Sequence, residues 1–349
     1  MRHRSGGGMR SDGIRPGNST EPGNSNGKQS GTTMPAGVAG LHRRHDVLSM
    51  GGGDDEIRRR CAGGRWRRVR RGAYAESSVL AGLDAVARHR LAVAALLPAM
   101  AADAVVSHQS AAVMHGAPMV PALLDRVHVT RNRRHGGRIK ANLKVHCAPV
   151  DLVAERHGLL VTSPARTVVD LARTVAFDAA VVVGDALARE FGITATALAH
   201  ELESARGRRG VDVARRVVEF LDPRSGGVEH SRIRVLLHML GFPPADAGGL
   251  IHAADGTVLG YADLYLGRTG VVITIETTDR PRPAHPGPSD AVLRRNGFHP
   301  VHTTWRGLCT GATVDRLHEA LGQARADRRR GYIRPGPIAP PTPLALRPL

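Results

Sequence analysis

Three carboxylates in the C-terminal third, Glu229, Asp263 and Glu276, have the residue types to hold a divalent cation. Tyr261, Asp263 and Tyr265 alternate with Ala262, Leu264 and Leu266, and Thr274, Glu276 and Thr278 alternate with Val271, Ile273 and Ile275. Period two puts Asp263 and Glu276 each on one face of two adjacent strands. A preceding helix carrying Glu229 would let the three acids converge. Hard oxygen ligands of this kind suit Mg²⁺, which activates water and stabilises charge in phosphodiester hydrolysis. The competing reading is that these are ordinary solvent-facing strand acids.

A second set of residues has a different chemistry. Eight arginines fall within fourteen residues: Arg58, Arg59, Arg60, Arg65, Arg67, Arg68, Arg70 and Arg71. No acid interrupts RRRCAGGRWRRVRRGAY. Crowded guanidinium groups repel one another, and a polyanion relieves that repulsion while releasing its counterions. Gly63-Gly64, Trp66, Val69 and Tyr74 suggest a folded hairpin, with Arg67, Arg68, Arg70 and Arg71 as phosphate contacts. The alternative is a solvated basic face or a basic arm.

These residues need elements to position them. Residues 38–75 read as helix, turn, basic helix and basic hairpin, with Asp54-Asp55-Glu56 at a helix start where carboxylates suit the dipole. That is the order of a winged helix-turn-helix that binds double-stranded DNA. Residues 76–222 read as mostly helical with a small sheet. One helix runs from a Ser77 or Ser78 cap to Leu97. Another follows a Ser107 cap across His108 to His115. Strands lie at 127–130 and 143–147, joined by the basic stretch 131–138. Ser163-Pro164 opens a further helix as N-cap and N1, and helices follow at 178–190, 195–205 and 211–221. Residues 225–325 read as helix, strand, strand, helix, strand, helix, a mixed α/β domain. The fold class is therefore a multi-domain α+β chain. The segment 1–37, rich in Gly, Ser and Asn, and the six-proline tail 331–349 lack the apolar pattern of a packed core, so both are expected to be disordered.

Composition narrows the function. Lys and Arg total 49 against 31 Asp and Glu, giving a net charge of +18. Nucleic acid therefore leads the list of partners. Aromatics are only 3%, which argues against RNA modules that stack bases on aromatic platforms. Cys61, Cys147 and Cys309 are odd in number and widely spaced, without a CxxC pair, so neither a zinc ribbon nor a disulfide framework is indicated. No apolar leader or span is evident, and a reducing cytoplasm is the expected compartment. No Walker A, GxGxxG or GxSxG motif supports nucleotide-driven or nucleophile-elbow chemistry. His108 and His115 lie seven apart without an HExxH or Cys partner, which favours structural roles.

The segments VEHSRIRVLLHMLGFPP, GYADLYLGRTGVVITIETTDR and DAVLRRNGFHPVHTTWRGL together resemble the very-short-patch-repair-like branch of the PD-(D/E)XK nuclease superfamily. GGRWRRVRRGAYA, SHQSAAVMHGAP and SPARTVVDLAR resemble AbiEi-type antitoxin-like proteins of actinobacterial type, which often carry such a C-terminus. The resemblance spans roughly residues 40–325. It implies a restriction-endonuclease-like C-terminal domain in which Asp263 and Glu276 are metal ligands and Glu229 is the helix glutamate. It also implies DNA and a cognate toxin as partners. Family members usually read E-x-D-G or E-x-K after the second acid; here Thr278 takes that place, and PRPAHPGP replaces the usual basic segment. The resemblance thus implies an antitoxin-like transcriptional regulator with a degenerate nuclease fold. A Mg²⁺-dependent endodeoxyribonuclease and a pure toxin-neutralising protein are the alternatives.

Overall fold

The acid-rich start, apolar Ile57 and glycine stop of 54–63 do produce a short helix, and a hairpin follows it. In a computed structural model, which describes residues 40–97, 100–133, 135–276, 288–327 and 330–349, the chain begins with β1 (Leu41–Arg43), α1 (Arg44–Ser49) and α2 (Asp54–Ala62). The hairpin β2 (Trp66–Arg70) and β3 (Ala73–Glu76) comes next. The three strands form an antiparallel sheet in the order β1-β3-β2. Gly72, at a φ of +77°, makes the tight β2–β3 turn. Trp66 is buried between His42 and Tyr74, with ring centroids 4.2 and 6.2 Å away. The aromatics thus build the core of this small unit.

The middle block holds more sheet than its helical pattern suggests. It comprises α3 (Ser77–Gly82), α4 (Ala85–Leu96), β4 (Ala104–Val106), α5 (His108–Met114), β5 (Val127–Arg131), β6 (Arg138–Lys140), β7 (Leu143–Cys147), β8 (Leu152–Arg156) and β9 (Leu159–Thr162). Then come α6 (Pro164–Ala172), α7 (Phe177–Phe191), α8 (Ala195–Ser204) and α9 (Val211–Phe220). The expected single helix from Ser77 to Leu97 is broken. Leu83 is extended, and Asp84 caps α4 by accepting from the Ala87 N–H at 2.7 Å. Ser107 makes no capping bond; its Oγ pairs with His108 Nδ1 at 3.0 Å. Ser163 does cap α6, and Pro164 sits at its first turn. Helix α6 is buried along its whole length, so it is the shaft on which α5, α7, α8 and α9 pack.

The C-terminal block comprises α10 (Val228–Met239), β10 (Ala245–His252), β11 (Val258–Leu266), β12 (Val271–Ile275), α11 (Asp290–Arg295), β13 (His299–Thr303), α12 (Trp305–Cys309) and α13 (Val314–Ala326). Strand β10 was absent from the expected order because its Gly248-Gly249 pair has weak strand propensity. Packing requires those glycines. A Cβ on Gly249 would lie 2.5 Å from Ile333 Cγ2 and 2.7 Å from the Tyr265 ring. Ile233, Leu237, Leu264, Ile273 and Leu317 form the core on one side of this sheet.

The tail corrects a second expectation. Residues 331–349 were expected to be unpacked, yet β14 (Tyr332–Pro335) pairs antiparallel with β10, completing the sheet order β13-β12-β11-β10-β14. Ile333 packs against the Ile251–Phe298 cluster, and Tyr332 stacks on His252 with centroids 4.9 Å apart. Strand β15 (Leu346–Pro348) pairs with β8, giving the middle sheet its seven-strand order β15-β8-β9-β4-β5-β7-β6. The prolines read as disorder, but Pro335 and Pro348 sit in edge strands, where a missing N–H is tolerated. Ending the chain after Arg330 is therefore expected to lower the melting temperature by roughly 5 °C or more. An unchanged thermal midpoint of the truncated protein would show that the tail contributes nothing to the body. The segment 1–37 lies outside the described residues.

The described residues make one compact mixed α/β unit with three sheets. A buried ion pair joins the middle and C-terminal blocks. Asp185 on α7 accepts from Arg234 Nη1 (3.0 Å) and Ser231 Oγ (2.7 Å), both on α10, and from the Asp222 N–H (2.8 Å). Among the described residues no helix is long and apolar enough to cross a membrane.

Candidate nucleic-acid interface

The eight arginines divide by their partners. On α2, Arg58 pairs with Asp55 at 2.6 Å, one turn away. Arg60 pairs with Glu56 at 2.5 Å and lies 4.6 Å above the Trp66 ring. Arg70 is a structural bolt, because its Nη1 donates to the carbonyls of Ala95 (3.2 Å) and Leu96 (2.9 Å) at the C-terminus of α4. That engagement sets Arg70 apart from the exposed arginines with which the sequence groups it. The register of β2 against β3 shifts between Arg68 and Arg70, a bulge that turns Arg70 inward and leaves Arg67 and Arg68 both exposed. Arg59, Arg65, Arg67, Arg68 and Arg71 are exposed, and none has a carboxylate partner among the described residues. Five unneutralised charges therefore run from α2 through the Gly63-Gly64 turn onto the hairpin. Such a surface concentrates polyanions.

The carboxylates do not assemble as a three-ligand set. Asp263 Oδ2 accepts from the Ile275 N–H at 2.9 Å, and its Oδ1 lies 3.3 Å from His230 Nε2. Glu276 sits just past β12, exposed, with Oε1 3.9 Å from His302 Nδ1. Glu229, in the first turn of α10, has a buried Oε2 without a hydrogen-bond partner among the described residues. Strand period put Asp263 on a strand adjacent to the one leading to Glu276, and β11 does pair with β12. It did not foresee that the strand's own N–H and a histidine would occupy the carboxylate. Thr278, Asp279 and most of PRPAHPGP lie outside the described residues.

Among the described residues, one group of three His, Cys, Asp or Glu side chains has its ligand atoms within 4.8 Å of one another: His108, His128 and His146. The rings of His108 and His146 stack at 3.7 Å, and His146 Nε2 lies 3.3 Å from His128 Nδ1. Burial, then the neighbouring cations and histidines, keeps all three neutral. It pushes the His128 pKa to about 4 and that of His146 to about 2. His115 is separate, with Nε2 on the Thr162 carbonyl at 2.8 Å. Sequence offered no signal for the cluster, because its members come from α5, β5 and β7 and share no motif spacing.

Residues 93–223 match the family model described as the AbiEi antitoxin C-terminal domain. The match runs from within α4 to the end of α9, and so takes in the buried shaft α6 and most of the seven-stranded sheet. It covers the SHQSAAVMHGAP and SPARTVVDLAR segments of the AbiEi resemblance, but neither GGRWRRVRRGAYA nor the C-terminal block. No curated protein matches the chain.

Proposed function

We propose that this chain is a cytoplasmic, DNA-binding, antitoxin-like transcriptional regulator. Its α1–α2 pair and β1–β3 sheet act as a winged helix-turn-helix. Helix α2 faces the duplex and the β2–β3 hairpin is the wing. The observation that carries this reading is the run of five exposed, acid-free arginines from helix to hairpin. The antitoxin part rests on the match over 93–223, and its second partner is a cognate toxin protein. The direct test is retardation of duplex DNA by the intact chain at several salt concentrations. Neutralising five phosphates gives a slope of log affinity against log salt of about −4.5. Absence of a shift at low salt would reject the DNA reading and leave the toxin-neutralising one.

The C-terminal block, in this reading, is an endonuclease-like fold that has lost catalysis. The support is the engagement of Asp263 by Ile275 and His230, together with threonine at position 278. Supercoiled plasmid incubated with the protein and Mg²⁺ is expected to remain supercoiled. Mg²⁺-dependent nicking that disappears in Asp263→Asn while DNA retardation persists would establish the endonuclease alternative, with Glu229, Asp263 and Glu276 as its acids.

A further inference from the structure

A cavity of about 330 Å³ opens between β5–β7 and α6, well apart in sequence from the arginine hairpin. Five cations line it: Arg138, Lys144, Arg166, Arg173 and Arg208. Asp170 is the one carboxylate in the lining, and it is already engaged. Its Oδ2 accepts from Arg166 Nε at 3.0 Å, and its Oδ1 lies 3.5 Å from Arg173 Nη1. Arg166 also reaches Glu201 behind the cavity, at 3.6 Å. The Arg208 guanidinium makes one hydrogen bond among the described residues, to the Cys147 carbonyl at 3.4 Å. Arg138 and Lys144 have no ion-pair partner there. Burial, and beyond it the neighbouring arginines, hold Arg208 and Arg173 below the ordinary guanidinium range, although Asp170 opposes this.

Two further features point to an occupant. Thr130 lines the cavity fully buried, yet its Oγ1 has no hydrogen-bond partner among the described residues. Buried hydroxyls are almost always satisfied. On the same wall the half-buried His146 ring is backed by the buried ring of His108 at an interplanar angle of 14°. His108 is held at a φ of +53°, a conformation L-residues adopt at a cost and retain where the surroundings fix it. The stacked imidazoles thus give this wall a flat face.

The three imidazoles also have the spacing of a transition-metal site. Two observations oppose a cation there. The parallel His108 and His146 rings cannot both direct in-plane lone pairs at a common ion, and the surrounding arginines and Lys144 make the site repel positive charge.

We propose that this cavity binds a phosphorylated small molecule of nucleotide size. Arg173, Arg208 and Lys144 take its phosphoryl group, Thr130 donates to or accepts from it, and the His146 face borders its planar part. Guanidinium groups suit phosphate oxygens as paired donors. The inference is independent of the DNA-binding reading.

Calorimetric titration of the intact chain tests it, using adenosine monophosphate, guanosine triphosphate, inorganic phosphate, adenosine and zinc chloride as separate probes. The nucleotides should bind, inorganic phosphate more weakly, and adenosine and zinc not at all. The Lys144→Gln/Arg208→Gln variant should lose at least about tenfold in nucleotide affinity while its melting temperature without ligand stays within a degree or so of the parent. Alanine at the five exposed arginines of α2 and the hairpin should leave nucleotide binding intact, which separates this site from that surface. Should the Lys144/Arg208 variant fail to fold, Lys144→Gln alone serves, with a smaller loss expected. Nucleotide affinity no higher than that of inorganic phosphate, undiminished binding in the variants, or binding of zinc alone would overturn the proposal.

Discussion

Alanine at Arg59, Arg65, Arg67, Arg68 and Arg71 together is expected to abolish retardation of duplex DNA at moderate salt. The residual salt slope should be flatter by about 4.5, because each phosphate contact contributes about 0.9. At low salt the loss in affinity should still reach about a hundredfold or more. Sequence dependence should change little, since phosphate contacts position a protein rather than read bases. Thermal stability should be nearly unaffected, because none of the five has a carboxylate partner among the described residues and all are exposed. Three neighbours serve as controls. Arg58→Ala and Arg60→Ala each remove a charge already paired on α2, so each should weaken binding less than any one of the five. Arg70→Ala should instead lower stability, because it leaves the Ala95 and Leu96 carbonyls at the α4 terminus without that donor. A five-fold variant that binds DNA like the parent would place the interface elsewhere.

That contrast shows what the sequence could and could not reveal. Arginine density was visible at once, and so was the hairpin, because Gly63-Gly64 and Gly72 are unambiguous breaks. Which arginines stay free was not visible. It depends on a bulge at Val69 and on how α4 docks, and both are tertiary facts. The same holds along the chain. Helices α6 to α10 were legible because each has a helical repeat, with a serine or threonine cap at α6 and α8. Strands β8, β10 and β14 were among those missed. Their residues are glycine-, proline- or charge-bearing and pair only because a distant partner strand is waiting. The His108–His128–His146 cluster was illegible for a related reason, since three elements meet there without a local motif. Asp263 was correctly placed on its strand, but period two says nothing of which N–H or imidazole a carboxylate will meet.

Arg234→Met is expected to have the largest effect on stability. Arg234 is 5% exposed and Asp185 1%, and solvent cannot stand in for either. Arg234 also donates from Nε to the Ala245 carbonyl (3.1 Å), from Nη1 to Ser225 Oγ (3.0 Å) and from Nη2 to the Phe220 carbonyl (2.8 Å). It therefore holds the end of α9 and the start of β10 as well as α7. Methionine keeps most of the volume but strands a buried carboxylate, which costs about 3–5 kcal/mol. For a chain of this size that corresponds to a fall of about 4–8 °C in melting temperature. Acidity provides a check that a packing defect would not mimic. Burial raises the Asp185 pKa and Arg234 opposes that rise. Without the arginine the folded-state pKa must climb further above its unfolded value. A carboxyl raised in this way favours the fold when protonated, and the advantage is lost as pH rises through the folded pKa. The stability gap between the variant and the parent should therefore narrow as pH falls from neutral towards the carboxyl range, with the histidine contributions common to both proteins cancelling. Asp185→Asn should cost less than Arg234→Met, because its amide oxygen can still accept from Arg234 and Ser231. A gap that is small, or that stays constant with pH, would mean that the two blocks are held together by their apolar contacts rather than by this ion pair.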